Sequence, residues 1–418
     1  MCGISLIVNK NDAITNENEI SSMSEKIIHR GPDDDGLFIS KNVAMSFRRL
    51  SVIDLSEAGH QPMISEKGNV VIFNGEIFNY VELKKELTHL GFRFKSKTDT
   101  EVILAAYEHW GEDCVLRFNG MWGFVIYDQN QNRLFISRDR FGIKPLYFWQ
   151  NTKLFSVSSE IKQFYGIESF TPRIEEESAI RFLYKNQLNT NEKTFFKNVF
   201  SLEPGHNLIY DLDCNLIHKK KYYDVNDVKI DTKISMTNAS EQFYDLFNKA
   251  IKIRLRSDVK LGSCLSGGLD SSSIVSIAQE QLNKISLSTI SSCFKDKRYD
   301  EQIYINEIIN SLPVKAIKIF PEVDDLFHKG LLSKIIYHQD QPIKSPSHFS
   351  EYSVFESAKN NNLTVMLDGQ GADEFMGGYL PFQYYNYDLM KNQKYLTLIR
   401  NLYQQKQNHY SIFDLFKN

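Results

Sequence analysis

A chain of 418 residues is more than one small core can organise, so two domains are expected, with room for a third. Its 49 basic and 52 acidic residues leave a formal charge of −3, which argues against a nucleic-acid or polyanion surface. The 5 cysteines are scattered, with no CxxC pair and no histidine at metal-ligand spacing, and no basic stretch runs into a long apolar one. Reduced thiols in a soluble, cytoplasmic protein without signal peptide or membrane span are therefore expected.

The chain opens MCGISLIVNK, and residues 4–8 read as a strand that would pin Cys2 in place. Two readings of Cys2 stand at this point. It is a small hydrophobe at the start of a strand, or a nucleophile that becomes the first residue once Met1 is removed. Up to about residue 211, short apolar runs alternate with turn signals: VAMSFRRLSVIDL, NVVIFNGEIFN, GMWGFVIYD, RLFISRDRFG, PLYFW and KLFSVSSE. Runs of that length are strands, while VELKKELTHLGF and TEVILAAYEHWGEDCV carry apolar residues at helical spacing. The first domain, 2–211, is thus α+β. The polar stretch 211–238, with HKKKYYD inside it, reads as a linker whose lysines are solvated.

Beyond the linker the period changes. ASEQFYDLFNKAIKIRLRS, DSSSIVSIAQEQL and DEQIYINEIINSL read as helices, and VKLGSCL, KISLSTISSCF and LTVMLDG as strands. Strands alternating with helices predict a parallel sheet with right-handed crossovers, so the second domain, 236–418, is α/β.

LSGGLDSSSIV at 265–275 lies between a strand and a helix. Gly267 and Gly268 lack Cβ atoms and let the backbone wrap an anion, and Ser266, Ser271 and Ser272 add hydroxyls where helix N–H groups already favour phosphate. The spacing is neither that of a Walker A loop nor that of a dinucleotide fold. LDGQGADEFMGGY at 367–379 again follows an apolar strand, and two strand ends of one parallel sheet can face the same crevice. There Asp270 and Asp373 suit a shared Mg²⁺; taken singly, either is as well explained as a helix cap or turn residue.

SGGLDSS resembles the pyrophosphate loop of the N-type ATP pyrophosphatases. Together with MCGI, HRGPD, RLSVID, NGEIFN, RDRFGIKPL and GQGADE, in that order along the chain, it resembles the glutamine-hydrolysing asparagine synthetase family. The resemblance implies an αββα Ntn-hydrolase sandwich of the class II glutaminase type, followed by an α/β domain of the adenine nucleotide alpha hydrolase kind. It implies that Cys2 is the nucleophile, with its own α-amine as base. It further implies that Asn74 and Gly75 hold the oxyanion, that Arg49 takes the glutamine α-carboxylate, and that Glu76 and Asp99 take its α-ammonium.

In the second domain the resemblance implies that Leu265, Ser266, Gly267, Gly268, Asp270, Ser271, Ser272, Asp368 and Gly369 bind ATP and pyrophosphate. Asp270 and Asp373 would bind Mg²⁺, aspartate would be adenylated on its β-carboxylate, and ammonia would arrive through an internal tunnel. RYDEQ at 298–302 resembles the substrate-side segment, although a helix N-terminus explains Asp300 and Glu301 equally. The expected ligands are glutamine, ATP and aspartate or another carboxylate, with no nucleic acid and no membrane insertion; the sequence is compatible with a homodimer.

Two departures from the family pattern open alternatives. Gln370 replaces the usual glutamate of GEGxDE, as in relatives tied to surface polysaccharides, where the acceptor would be a sugar carboxylate. The chain also stops at Asn418, soon after GGY, which leaves a glutaminase-only or non-synthesising truncated relative in play.

Overall fold

A computed structural model describes residues 1–407 apart from 12, 329, 377 and 379–383. Gly377 and Tyr379 of the second loop, and the FDLFKN terminus, lie outside the described residues. The first half holds two 6-stranded antiparallel sheets. One runs in the order Val199–Ser201, Tyr147–Gln150, Leu154–Ser158, Gly3–Asn9, Val43–Arg49, Asp34–Ser40. The other runs Ile217–Lys221, His206–Asp211, Arg133–Arg138, Gly120–Asp128, Val70–Ile77, Met63–Ile64.

The two-residue period of a strand sorts its side chains between two cores. Ile4, Leu6, Val8, Val70 and Ile72 meet between the sheets. Their neighbours face outward: Ile7 and Ala44 pack on Ile20 and Met23 of the helix Glu17–Glu25. Val71, Phe73 and Phe124 pack on Leu83, Leu87, Val102 and Ile103 of the helices Tyr80–His89 and Asp99–Trp110. Helix, sheet, sheet, helix is the expected αββα sandwich. Burial on both faces is why these strands read as continuous apolar runs.

The expected linker is shorter than 211–238. Ile217–Lys221 pairs antiparallel with His206–Asp211, and Tyr222 stacks on Trp122 at a centroid distance of 6.3 Å. HKKK is therefore an edge strand; its three consecutive, exposed lysines suit an edge because their charge discourages further pairing. VAMSFRRLSVIDL is strand only over Val43–Arg49, and the rest is a loop bearing on the first site.

The second half holds a 4-stranded parallel sheet ordered Lys315–Ile319, Ser288–Ser292, Leu261–Cys264, Val365–Leu367. The helices Met236–Arg254, Leu269–Leu282, Gln302–Ser311 and Ser347–Asn360 pack around it. Lys315–Ile319 escapes the sequence reading because its lysines break the apolar run. Among the described residues no helix is long and apolar enough to cross a membrane.

Candidate active site

Cys2 stands one residue before the strand Gly3–Asn9, whose pairing with Val43–Arg49 brings Leu50 alongside. The Leu50 N–H donates to Cys2 Sγ at 3.4 Å, and the thiol faces the Leu50 carbonyl at 3.5 Å. Burial pushes the thiol up, against the pull of the terminal amine, the Leu50 contact, Lys144 and Arg30. Met1 is 56% exposed, yet its α-amine is enclosed and burial lowers it to about 5. An amine so placed is mostly neutral at pH 7 and able to accept a proton.

Asn74, Gly75 and Glu76 are consecutive on the strand Val70–Ile77. Asn74 is 1% exposed, and neither its Nδ2 nor its Oδ1 has a partner. An orphaned buried amide costs about 1–3 kcal/mol, and its retention suits a group that bonds to something not yet bound. Position 75 must be glycine, because a Cβ there would meet the Met121 carbonyl oxygen at 2.2 Å.

Burial, and then the charge of Asp99, raises Glu76 to about 8. Asp99, the first residue of its helix, is raised by burial to about 6 although Oδ2 accepts the Ile77 N–H at 2.8 Å. Two neighbouring carboxyls held up in this way form a place that favours a cation. Arg49, also buried, donates through Nη1 to the Ser56 carbonyl at 2.9 Å and through Nη2 to the Asp54 carbonyl. The expected carboxylate anchor is thus already tied to the 54–59 loop, and Nε and the remaining N–H groups are what it offers a ligand.

Lys144 was not singled out by the sequence beyond its place in RDRFGIKPL. The buried carboxylate of Asp139 gathers the N–H groups of Trp122, Phe141, Ile143 and Lys144 at 2.9–3.1 Å, which folds that loop. The fold delivers the Lys144 ammonium, 7% exposed, to the neighbourhood of both Cys2 and Glu76. Burial and the charge of Arg30 lower it to about 8. Cys2, Glu76 and Asp99 therefore share one electrostatic neighbourhood.

The second cluster forms where Leu261–Cys264 and Val365–Leu367, adjacent parallel strands, end. Leu265 is buried and its N–H donates to Ile290 O at 3.0 Å. Gly267 has φ +86°, and a Cβ there would crowd Tyr304 Cβ at 2.9 Å, so the tight turn needs glycine. Ser266 Oγ and Ser271 Oγ lie 3.0 Å apart, Ser266 Oγ accepts the Gly268 N–H at 3.3 Å, and Ser272 Oγ is enclosed without a partner.

Gly268 caps the helix Leu269–Leu282 without a side-chain bond to its first N–H groups. Asp270 is in the first turn, and Gly369 lies so close that a Cβ on it would stand 3.2 Å from Asp270 Cβ. The two expected loops therefore meet. Burial, with Asp373 and Glu374 behind it, raises the Asp270 carboxyl. Gln370 is exposed and donates its N–H to Asp368 Oδ1 at 3.3 Å. Asp300 accepts from Phe294 N and Gln302 Nε2, and Glu301, the N-cap of the helix Gln302–Ser311, makes no side-chain bond to its first N–H groups.

The Glutamine amidotransferase domain model matches residues 1–223 and the Asparagine synthase model residues 242–413. A protein of Methanocaldococcus jannaschii bearing the name asparagine synthetase [glutamine-hydrolyzing] 2 is 36% identical over 402 residues, covering 91% of this chain and 76% of that one. Asparagine synthetase [glutamine-hydrolyzing] 1 of Bacillus subtilis is 34% identical over 382 residues, covering 91% of this chain and 59% of that protein. The chain thus spans well under two thirds of the Bacillus relative. A Bacillus subtilis glutamine phosphoribosylpyrophosphate amidotransferase structure aligns at 12% identity and a TM-score of 0.41, covering 88% of this chain and 91% of that one, a likeness too weak to carry an argument.

Proposed function

This chain belongs to the glutamine-hydrolysing asparagine synthetase family, and on that footing we propose that it takes ammonia from glutamine at Cys2 and delivers it to a carboxylate activated by ATP at the 265–272 loop. The observation that carries the reading is the Asn74 amide, buried and unpartnered beside Glu76 in the neighbourhood of Cys2.

With Met1 removed, the α-amine of Cys2 takes the thiol proton and the thiolate attacks the glutamine amide carbonyl. The Asn74 amide and the Gly75 N–H receive the developing oxyanion, the ammonium lies against Glu76 and Asp99, and Arg49 meets the carboxylate. Collapse of the tetrahedral adduct, with the Cys2 α-ammonium giving that proton to the leaving nitrogen, releases ammonia and leaves a thioester that water cleaves to glutamate. In the second domain the acceptor carboxylate attacks the α-phosphate of ATP, pyrophosphate leaves, and ammonia displaces AMP from the acyl adenylate. Leu265, Ser266, Gly267, Gly268, Ser271, Ser272, Asp368 and Gly369 line the phosphate side. Asp270 and Asp373 would hold Mg²⁺, which would supply positive charge to the leaving pyrophosphate; the close approach of Gly369 to Asp270 brings together the two loops that carry them.

Aspartate, giving asparagine, is the proposed acceptor. The exposed amide of Gln370 favours a second reading, in which a sugar carboxylate takes the ammonia. Incubating the chain with ATP, Mg²⁺ and glutamine, with and without aspartate, and following pyrophosphate and amide products tests both. Pyrophosphate release that aspartate does not stimulate would overturn the aspartate assignment, and no glutamine hydrolysis would overturn the whole reading.

A further inference from the structure

The proposed glutamine chemistry leaves a buried ionic chain unused. Arg30, 6% exposed, donates through Nε to the Cys2 carbonyl at 2.8 Å and through Nη1 to Glu160 Oε1 at 2.7 Å. Glu160, equally buried, also accepts from His29 Nε2 at 3.1 Å and from Lys162 Nζ at 2.5 Å. Lys162 Nζ in turn lies 3.1 Å from Asp340 Oδ1, and Asp340 Oδ2 accepts the Ile161 N–H at 2.7 Å. Asp340 belongs to the second half of the chain, at the C-terminal cap of the helix Leu331–Gln339. The rings of His29 and His338 meet edge-on at 4.6 Å, and Lys162 lies over Tyr337 at 5.0 Å, so the contact is packed as well as charged.

Two carboxylates, Glu160 and Asp340, balance two cations, Arg30 and Lys162, with His29 at the margin. Burial works against the Glu160 carboxylate, yet the His29 hydrogen bond and the charges of Arg30 and Lys162 hold it below its usual range. Remove Asp340, and both cations compete for Glu160 in a place where water cannot help. Lys162 then draws Glu160 toward itself, and Arg30, which bonds both Glu160 and the Cys2 carbonyl, shifts with it.

We propose that Asp340 is a positioning residue for the Cys2 nucleophile, so that docking of the second domain sets the geometry of the first site. On the second domain's side, residues 341–346 lead from Asp340 directly into the helix Ser347–Asn360. The proposal rests on Cys2 being the glutaminase nucleophile.

The test uses the full chain carrying Asp340→Ala and Asp340→Asn. Asparagine keeps the shape but offers one acceptor oxygen where aspartate uses two, so it decides the matter should the alanine variant fail to fold. Two quantities are read: kcat and KM for glutamine hydrolysis, and the rate of iodoacetamide alkylation at Cys2, located by peptide mass mapping. Misplacing a nucleophile lowers kcat by about tenfold or more while leaving KM within about twofold. Alkylation at Cys2 should change by a comparable factor, with alkylation at exposed Cys214 unchanged. Unaltered kcat and unaltered Cys2 alkylation in the folded asparagine variant would overturn the proposal, as would a change confined to KM. A wild-type chain that hydrolyses no glutamine, but whose Cys2 alkylation depends on Asp340, would sink the glutaminase reading and leave the positioning role standing.

Discussion

The two halves of the molecule treat polar groups in opposite ways. In the sandwich, Asn74 and Asp99 are 1% and 6% exposed, and the carboxyls and amines around Cys2 are displaced from their ordinary pKa values. At the end of the parallel sheet, Ser266, Asp368 and Gln370 are exposed, and Asp270 is raised by burial and then by the charges of Asp373 and Glu374. A site whose chemistry is nucleophilic attack on a neutral amide gains from dry walls that sharpen every charge. A site whose ligand brings several negative charges of its own needs an open rim and a helix start instead.

Cutting the two halves apart functionally is the strongest way to break that contrast. Cys2→Ala is expected to reduce glutamine hydrolysis to background while ammonia-supported pyrophosphate release continues. Undiminished hydrolysis would mean that the sandwich works by other groups. Asp270→Ala should do the reverse, eliminating pyrophosphate release and leaving glutamine hydrolysis intact, because a methyl group cannot bridge a cation to phosphate. Retained ATP turnover there would mean that the loop binds some other anion.

Within the sandwich, Asn74→Ala should lower kcat for glutamine hydrolysis by about 10²–10³-fold, the usual effect of losing one oxyanion donor in an enclosed site. A small loss would place the oxyanion elsewhere. Glu76 sharpens the comparison through pH. Its folded pKa of about 8 lies above the ordinary 4.5, so the folded state holds the proton more tightly. Its contribution to stability is therefore complete below about 4.5 and is lost as pH rises through about 8. The melting temperature of the ligand-free chain should fall across that window, and Glu76→Gln should flatten the fall; an unchanged slope would show that Glu76 is solvated.

The smallest expected effect is at the open rim. Gln370→Glu restores a carboxylate where the family usually has one, and aspartate-dependent pyrophosphate release should rise by a few-fold, about 1 kcal/mol in barrier. No rise with aspartate, together with a loss on a sugar carboxylate, would favour the second reading of the acceptor.

Much of this was legible in the sequence because it is local. Strands buried on both faces show as apolar runs, and SGGLDSS carries its turn glycines and helix-start serines within seven positions. GQGADE shows itself the same way. Ile217–Lys221 was not legible, since an edge strand keeps its charge and has no apolar period to display. Nor did the sequence indicate that Arg49 would be tied to the 54–59 loop, that Asp139 would fold its loop and bury Lys144, or that Asp340 would reach Lys162. A hydrogen bond between neighbours in sequence leaves a motif, whereas an ion pair between residues 178 positions apart leaves none, because only the closing of both domains on each other brings the two charges out of water together.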